Sequence, residues 1–286
     1  MTSVDNKVFK TNKSGFKRDI EPPRTAVPPG TCDTHMHIVG PFRNYPLREV
    51  SSLQPPESTL QDYLNVMQIT GIERCVIVQP SFFAKDNACT LDSVKALGDK
   101  ARGIVVIDPD IGDAALQEMH DQGARGIRIQ RVVAGGASLT DIEELAARIA
   151  PFGWHIQLYI DSQDLVELTP IIKRLPVDVV FDHMAHVGRD SRIDHAGFKS
   201  LLDLLETEKA WVKLSNARFS PDPERARLLV AANSERVVWG SDWPHVSYEE
   251  TVIGEGQLLD MFAEWIPNDK IRHDILVTNP ERLYFK

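Results

Sequence analysis

Short apolar runs alternate with longer amphipathic stretches along the chain from Gly30 onward. The runs CVIVQ, GIVVI, DVVF and RVVW are rich in β-branched residues, which is typical of parallel strands covered on both faces. The pattern predicts eight strands. In chain order they are Thr31–Val39, Arg74–Pro80, Arg102–Asp108, Gly126–Val132, His155–Tyr159, Val177–His183, Trp211–Ser215 and Arg236–Gly240.

Helical segments are predicted between these strands. Ser58 with Gln61, and Thr140 with Glu143, match the capping box, in which two side chains satisfy free backbone amides at a helix start. Glycines that would supply left-handed caps end three segments, at Gly71, Gly123 and Gly153. Further helices are predicted at Ser162–Leu175, Phe198–Glu208, Pro221–Asn233 and Thr251–Trp265, and a last one from Pro280 with Asn279 as its cap.

Strands that alternate with helices over about 250 residues predict an α/β fold, the (β/α)8 TIM barrel. We expect one barrel domain over residues 29–286, preceded by a polar, Pro-rich extended arm over residues 1–28. A doubly wound open sheet is the alternative. Against it, the first strand is followed by Val39-Gly40-Pro41 rather than by a glycine-rich phosphate loop.

Composition narrows the class of partner. The formal net charge is −9 and the basic residues are scattered, so we expect no nucleic-acid partner. Three cysteines without a CxxC pair indicate reduced thiols. No apolar run has the length of a membrane span or resembles a secretory leader, so we expect no membrane partner and a cytoplasmic location. An oligomer is compatible with all of this.

Candidate chemistry lies where strands end, because barrel enzymes place function at the carboxyl ends of their strands. The first strand ends in Asp33-Thr-His35-Met-His37, and alternation predicts that all three polar residues share one face. The sixth ends at His183 and the eighth runs into Asp242. The sequence therefore predicts one active site built from His35, His37, His183 and Asp242.

These motifs resemble the amidohydrolase superfamily, and within it the 2-pyrone-4,6-dicarboxylate lactonase group. DTHMH, FDHM and VVWGSDWPH carry the resemblance, and IVQPSFFAKDN, RGIVVIDPD, GARGIRIQR, GWHIQLY and NPERLY extend it from about Thr31 to the end. It implies a hydrolase acting on the carboxylic ester bond of an anionic lactone, in aromatic-compound or sugar-acid catabolism. It also implies that Asp242 is the general base while His35, His37 and His183 polarise the carbonyl.

The resemblance bears on metal ions as well. Binuclear members have a lysine at the end of the fourth strand and a histidine at the end of the fifth. Here those strands read GIRIQR and HIQLY, so a binuclear centre is not expected. The lactonases hydrolyse without a metal, and we expect that no cofactor is required. The alternative is a single Zn²⁺ held by His35, His37, His183 and Asp242, a donor set that suits zinc.

Residues at other strand ends match substrate-contacting positions of the lactonases. They are Arg128, Arg131, Tyr159, Ser81 and Arg218, with the arginines able to dock a carboxylate through two parallel hydrogen bonds. The small anionic lactone is thus the expected partner of the chain.

The identity of the lactone stays open at one position. The lactonases follow the sixth-strand His-Met pair with Gly-Arg, whereas this chain has Ala and His186. 2-Pyrone-4,6-dicarboxylate, a muconolactone, a sulfonated muconolactone and a sugar-acid lactone all remain candidates. A mononuclear zinc decarboxylase or lactone isomerase of the same superfamily is an alternative. A non-catalytic barrel that binds a partner is another, although all four central residues are present.

Overall fold

Eight parallel strands pair in chain order, each hydrogen-bonded to the one that precedes it in sequence. The computed structural model describes residues 16, 18–48, 55–130, 139–160, 164–185, 193–215, 222–246 and 253–286. The strands are β1 Cys32–Met36, β2 Arg74–Val78, β3 Ala101–Val105, β4 Ala124–Gln130, β5 His155–Tyr159, β6 Val179–Phe181, β7 Ala210–Leu214 and β8 Val237–Trp239.

Helices pack outside the strands, and hydrophobic side chains between the two layers form the main core. The helices are α1 Leu60–Thr70, α2 Ala88–Leu97, α3 Asp113–Asp121, α4 Ile142–Ile149, α5 Leu165–Ile172, α6 Ala196–Glu206, α7 Pro223–Asn233, α8 Glu255–Trp265, α9 Asp269–His273 and α10 Asn279–Tyr284. None of the described helices is long and apolar enough to cross a membrane.

The barrel closes where β8 returns to β1. Met36 and Trp243 form a parallel bridge, the Asp242 amide donates to the His35 carbonyl, and the His37 amide donates to the Trp243 carbonyl, both at 2.8 Å. The predicted (β/α)8 barrel is therefore confirmed, and the doubly wound open sheet is excluded. Closure also joins the backbones of two predicted site residues.

The interior of the barrel is apolar at the amino ends of the strands. Alternate residues of β1, β2 and β3, among them Cys32, Val76 and Ile104, form a small cluster with Tyr284 of α10. Tyr284 is fully buried, so the last helix seals this end. All three cysteines are buried and none forms a disulfide.

Several predicted boundaries shift in the structure. The capping box of α1 uses Thr59 and Asp62, because Ser58 is held by paired backbone hydrogen bonds to Val39. Thr140 does not cap α4, which begins at Ile142 after a 3₁₀ turn. Asn279 is the first residue of α10 rather than its cap; its amide donates to the carbonyls of Ser234 and Val237.

The described part of the predicted N-terminal arm lies against the barrel. The Phe16 ring packs 4.7 Å from the ring of Trp243, and the Thr25 amide donates to Asp260 of α8. A Cβ atom at Gly256 would lie 2.2 Å from the Glu21 carbonyl oxygen, so glycine there permits close contact between the arm and α8. The arm therefore contributes to the core beside Asp242.

Candidate active site

Four predicted residues converge at the carboxyl end of the barrel. Oδ1 of Asp242 lies 3.5 Å from Nε2 of His35, 3.7 Å from Nε2 of His37 and 3.9 Å from Nε2 of His183. All three histidines are buried. One carboxylate oxygen, at the end of β8, thus faces three ring nitrogens contributed by the ends of β1 and β6.

Two of these residues have left-handed backbone conformations. Asp242 has φ 64° and His183 has φ 52°, values that cost a residue with a side chain about 1–3 kcal/mol. The amide of Asp242 donates to the His35 carbonyl, and that of His183 donates to the Ser215 hydroxyl at 3.2 Å. Strand β6 was predicted to reach His183 but ends at Phe181, because this turn carries the imidazole into the site.

The hydrogen bond of His37 fixes which of its ring nitrogens carries the proton. Nδ1 lies 2.7 Å from the Val78 carbonyl oxygen, which can only accept, so Nδ1 is the protonated nitrogen. In the neutral ring Nε2 is then a lone pair directed at Asp242. Neutral His37 can accept a hydrogen bond in the site through Nε2, and its predicted role in polarising the carbonyl stays a prediction.

His183 and two predicted substrate-contacting residues form one wall. Nδ1 of His183 lies 2.8 Å from the Ser215 hydroxyl, and its ring packs edge-on against that of Tyr159. The guanidinium of Arg128 lies 5.4 Å from the Tyr159 ring centroid, within cation–π range. Burial raises the pKa of Tyr159, which therefore stays a phenol that can donate.

Arg128 is also tied to the barrel interior. Its Nη2 lies 3.2 Å from Oδ2 of Asp182, and its Nη1 donates to the Gln79 carbonyl at 3.2 Å. Because the guanidinium is paired with a buried carboxylate, only part of its charge is available to a ligand. Ser81 opens the turn directly after β2, at the same end of the barrel.

A polar network that the sequence did not predict lies beneath the histidines. Asp182 is fully buried and accepts from the Gln157 amide at 3.0 Å. The ammonium of Lys213, also fully buried, donates to the Gln157 side-chain oxygen at 2.6 Å and to the Thr34 carbonyl at 2.8 Å. Nδ1 of His35 lies 3.1 Å from Asp182 and 3.3 Å from Lys213.

Asp182 is paired with two buried cations, Arg128 and Lys213. Burial opposes ionisation of Asp182, but His35, Lys213 and Arg128 outweigh it and hold its pKa well below the usual value. Burial lowers the pKa of Lys213 to about 8, which leaves the amine protonated at pH 7. Both cations therefore lie against Asp182, Arg128 at 3.2 Å and Lys213 at 3.7 Å, and a buried charge is tolerated only when it is paired in this way.

Burial disfavours the charged form of two of the histidines. Burial lowers the pKa of His35 well below its usual value, and burial also lowers that of His183. Burial favours the neutral form of Asp242 as well, but the adjacent imidazoles outweigh this and lower its pKa. Asp242 is thus a carboxylate at neutral pH, as a general base must be.

Asp33 does not share the face of His35, contrary to the prediction. Its carboxylate accepts from the Tyr63 hydroxyl of α1 at 2.8 Å and from the backbone and side chain of Ser241. The pairing of β1 with β2 shifts register between Asp33 and Met36, which breaks strict alternation. Asp33 therefore braces the strand end behind the site.

Other predicted residues lie away from the four or beyond the described ranges. Arg131, His186 and Arg218 lie outside the described residues, and their roles stay predictions. His155 is buried at the opposite end of the barrel, edge-on to Tyr284. His245 lies 3.0 Å from Glu255 at the start of α8, and both are buried.

The donor atoms fit one metal ion by distance. Tetrahedral zinc with ligands at 2.0–2.2 Å places them roughly 3.3–3.5 Å apart, and the His35–Asp242 and His37–Asp242 distances are 3.5 and 3.7 Å. A second group of possible donors, His35, Asp182 and His183, also has its ligand atoms within 4.8 Å of one another. The expectation that the chain holds no binuclear centre stays a prediction.

Gly240 allows β8 to approach β1 at the site. A Cβ atom there would lie 2.6 Å from Cβ of His35 and 2.8 Å from its amide nitrogen. Gly240→Ala should therefore displace His35 and lower the free energy of unfolding by about 1–3 kcal/mol, with a loss of turnover. Gly112→Ala is the control, because nothing lies within 4 Å of that position. Urea unfolding that showed both variants equally stable would contradict this packing.

The comparisons with known proteins agree on one family. A family model described as amidohydrolase matches residues 32–286. The chain is 33% identical to a 4-sulfomuconolactone hydrolase of Hydrogenophaga intermedia, over 94% of this chain and 93% of that protein. It is 31% identical to a 2-pyrone-4,6-dicarboxylate hydrolase of Comamonas testosteroni, over 92% of each chain.

A third relative has a different activity. The chain is 30% identical to a D-galactarolactone isomerase of Agrobacterium fabrum, over 92% of this chain and 93% of that protein. Among solved structures, one from Agrobacterium tumefaciens superposes with a TM-score of 0.87 at 28% identity, covering 94% of this chain and 98% of the other.

Proposed function

The chain belongs to the amidohydrolase family, and from that premise we propose that it hydrolyses the ester bond of an anionic lactone. The observation that carries the proposal is the single carboxylate oxygen of Asp242, which faces three imidazoles within 3.9 Å. The lactone hydrolases among its relatives support the same reaction class. A lactone ester is more electrophilic than an amide, so acid/base and electrostatic catalysis are chemically sufficient for it.

Water is the nucleophile, held between two acceptors. The Asp242 carboxylate and the Nε2 lone pair of His37 face each other at 3.7 Å, and one water molecule can donate a proton to each. Asp242 removes a proton as the water oxygen attacks the lactone carbonyl carbon. Because its lowered pKa makes Asp242 a weak base, the second acceptor helps to orient the water for attack.

The tetrahedral oxyanion needs hydrogen-bond donors. His35 and His183 face the same space as Asp242 and supply ring N–H groups, and the Tyr159 hydroxyl lies beside His183. Collapse of the intermediate breaks the ring C–O bond. The proton that Asp242 took from water passes to the leaving oxygen, so that the product is a ring-opened acid and the carboxylate is restored.

Arg128 with Tyr159 selects for an anionic substrate. The guanidinium is nine-tenths buried at the carboxyl end of β4, and a substrate carboxylate or sulfonate would share it with Asp182. Ser81 lies at the neighbouring strand end. Substrates therefore include carboxylated and sulfonated muconolactones, 2-pyrone-4,6-dicarboxylate and sugar-acid lactones.

Zinc is not required in this proposal. Were one ion bound, His35, His37, His183 and Asp242 would hold it, and it would polarise the carbonyl and acidify water. The lactone ester is intrinsically electrophilic, and the buried cations Lys213 and Arg128 supply positive charge beside the site. In this proposal catalysis therefore needs no metal ion.

A panel of these lactones, followed with a pH indicator, tests the function. We expect acid release on at least one of them, and an unchanged rate after treatment with a chelator and removal of the chelate. Loss of activity on chelation, restored by zinc, would contradict the metal-free part alone. Absence of acid release across the panel would contradict hydrolysis.

Lactone isomerisation is the second candidate, because one relative at 30% identity is an isomerase. An isomerase converts the lactone to another lactone without acid release. Proton NMR of the same reaction mixtures separates the two reactions, and it also reports carbon dioxide loss by a decarboxylase as the disappearance of a carboxylated product. Binding without any conversion would favour a non-catalytic barrel.

A further inference from the structure

Lys213 lies at the centre of the barrel, where a lysine needs a specific reason to be retained. It is fully buried on β7, between the apolar neighbours Val212 and Leu214. Its amine nitrogen lies 5.9 Å from the centroid of the Tyr284 ring and bonds the Thr34 carbonyl of β1. Burying an ammonium is costly unless hydrogen bonds replace its hydration, so its partners indicate its role.

Three acceptors surround the ammonium, one for each proton. They are the Thr34 carbonyl at 2.8 Å, the side-chain oxygen of Gln157 at 2.6 Å and Nδ1 of His35 at 3.3 Å. Gln157 turns its oxygen to Lys213 because its amide nitrogen donates to Asp182. An ammonium only donates, so the Nδ1 that it meets must be a lone pair.

Asp182 is the competing partner of the same ring nitrogen. Its Oδ1 lies 3.1 Å from Nδ1 of His35 and 3.7 Å from Nζ of Lys213, so the carboxylate and the ammonium compete for this nitrogen. Its Oδ2 is used by Gln157 and Arg128. Asp182 therefore supplies negative charge beside Lys213, while the hydrogen bond on the Nδ1 side comes from the ammonium.

Building on the proposed hydrolysis, we infer that Lys213 is a positioning residue that holds His35 with its proton on Nε2, as a donor to the substrate carbonyl. His37, bonded through Nδ1–H to the Val78 carbonyl, has the opposite tautomer. The two adjacent imidazoles thus have complementary roles: His35 donates to the developing oxyanion, and His37 accepts from the attacking water. A ring protonated at Nε2 also has no lone pair there for a metal ion.

Nitrogen NMR of the ¹⁵N-histidine-labelled protein tests this directly at pH 7, with the His35 signals assigned by their loss in His35→Asn. We expect His35 protonated at Nε2 and His37 protonated at Nδ1. In Lys213→Met the His35 proton should move to Nδ1, toward Asp182. Wild-type protein with His35 protonated at Nδ1 overturns the inference, and this readout needs neither a folded Lys213 variant nor a known substrate.

Kinetics of the folded variant separate positioning from simple stabilisation. Lys213→Met should lower kcat by roughly 10²-fold, the order expected for loss of one oxyanion donor, with KM within about 2-fold. Lys209→Met is the matched control, because that amine bonds the Leu175 carbonyl at the opposite end of β7. A folded Lys213→Met protein with unchanged kcat and unchanged His35 tautomer shows a purely structural lysine. If wild-type protein opens no lactone, the proposed function is wrong. The NMR experiment still decides separately whether Lys213 sets the tautomer of His35.

Discussion

Asp242→Asn is expected to lower kcat by about 10²–10⁴-fold, the contribution of a general base, while the protein remains folded. Asparagine has the shape of aspartate, so the left-handed backbone and the amide hydrogen bond to His35 are kept. The proton acceptor for water is lost. The amide also places an N–H or a weak acceptor opposite three imidazoles that had faced a carboxylate.

Steady-state kinetics on the best lactone of the panel, with circular dichroism melting curves, measures this change. Asp203→Asn is the control, because Asp203 is an exposed partner of Lys173 on the outer helices. A variant that kept more than a tenth of the wild-type kcat would remove Asp242 from the mechanism. An equal loss of kcat in Asp242→Asn and Asp203→Asn would point to a general effect of the substitutions.

His35→Asn should give the second large loss, about 10²–10³-fold in kcat, because one oxyanion donor disappears. Asparagine reaches only to the Nδ1 position and can still meet Lys213, but it presents nothing to the substrate. His35→Gln extends an amide N–H to the position of Nε2 and should recover part of the rate. KM should change little in either variant, since the anion-binding residues Arg128 and Tyr159 are intact.

The informative result is which of the two variants, His35→Asn or His35→Gln, has the higher kcat. Thermal melting must show both folded, because each leaves partners of a buried ring unsatisfied. His35→Gln no faster than His35→Asn would mean that Nε2 of His35 does not act as a donor. If His35→Asn and His35→Gln lost the same fraction of kcat and the same thermal stability, His35 would be a packing residue.

Much of the site was predictable because barrel topology converts strand order into spatial proximity. His35 and His37, His183, and Asp242 come from three distant parts of the sequence, yet each lies at or just beyond the carboxyl end of a parallel strand and therefore meets the others. Arg128 was predicted on the same ground, and the structure adds that Asp182 is its partner.

Contacts that depend on register and rotamer were not predictable. Alternation assigned Asp33 to the face of His35, but the register shift between β1 and β2 turns it toward Tyr63 and Ser241.

Helix α2 has no distinct start signal: its N-cap Asn87 makes no capping hydrogen bond and instead bonds the Val106 backbone.

The interior network had one visible sign in the sequence. Lys213 interrupts the run AWVKLS in a strand that is otherwise buried, and a charge there requires partners in the barrel interior. Its partners come from β1, β5 and β6 and can be identified only once the strand register is known. Asp182 was part of the FDHM motif but stood beside a histidine with the more obvious chemistry.

Hydrolysis in ¹⁸O-labelled water tests the central claim most directly. Attack of an Asp242-activated water molecule on the lactone carbonyl places one ¹⁸O atom in the newly formed carboxylate and none in the released hydroxyl or keto group, as mass spectrometry of the product would show. With Asp242→Asn the same label should accumulate about 10²–10⁴-fold more slowly. A converted product without ¹⁸O would show isomerisation, and ¹⁸O on the leaving oxygen would show cleavage of the other C–O bond; either result would contradict hydrolysis at the carbonyl.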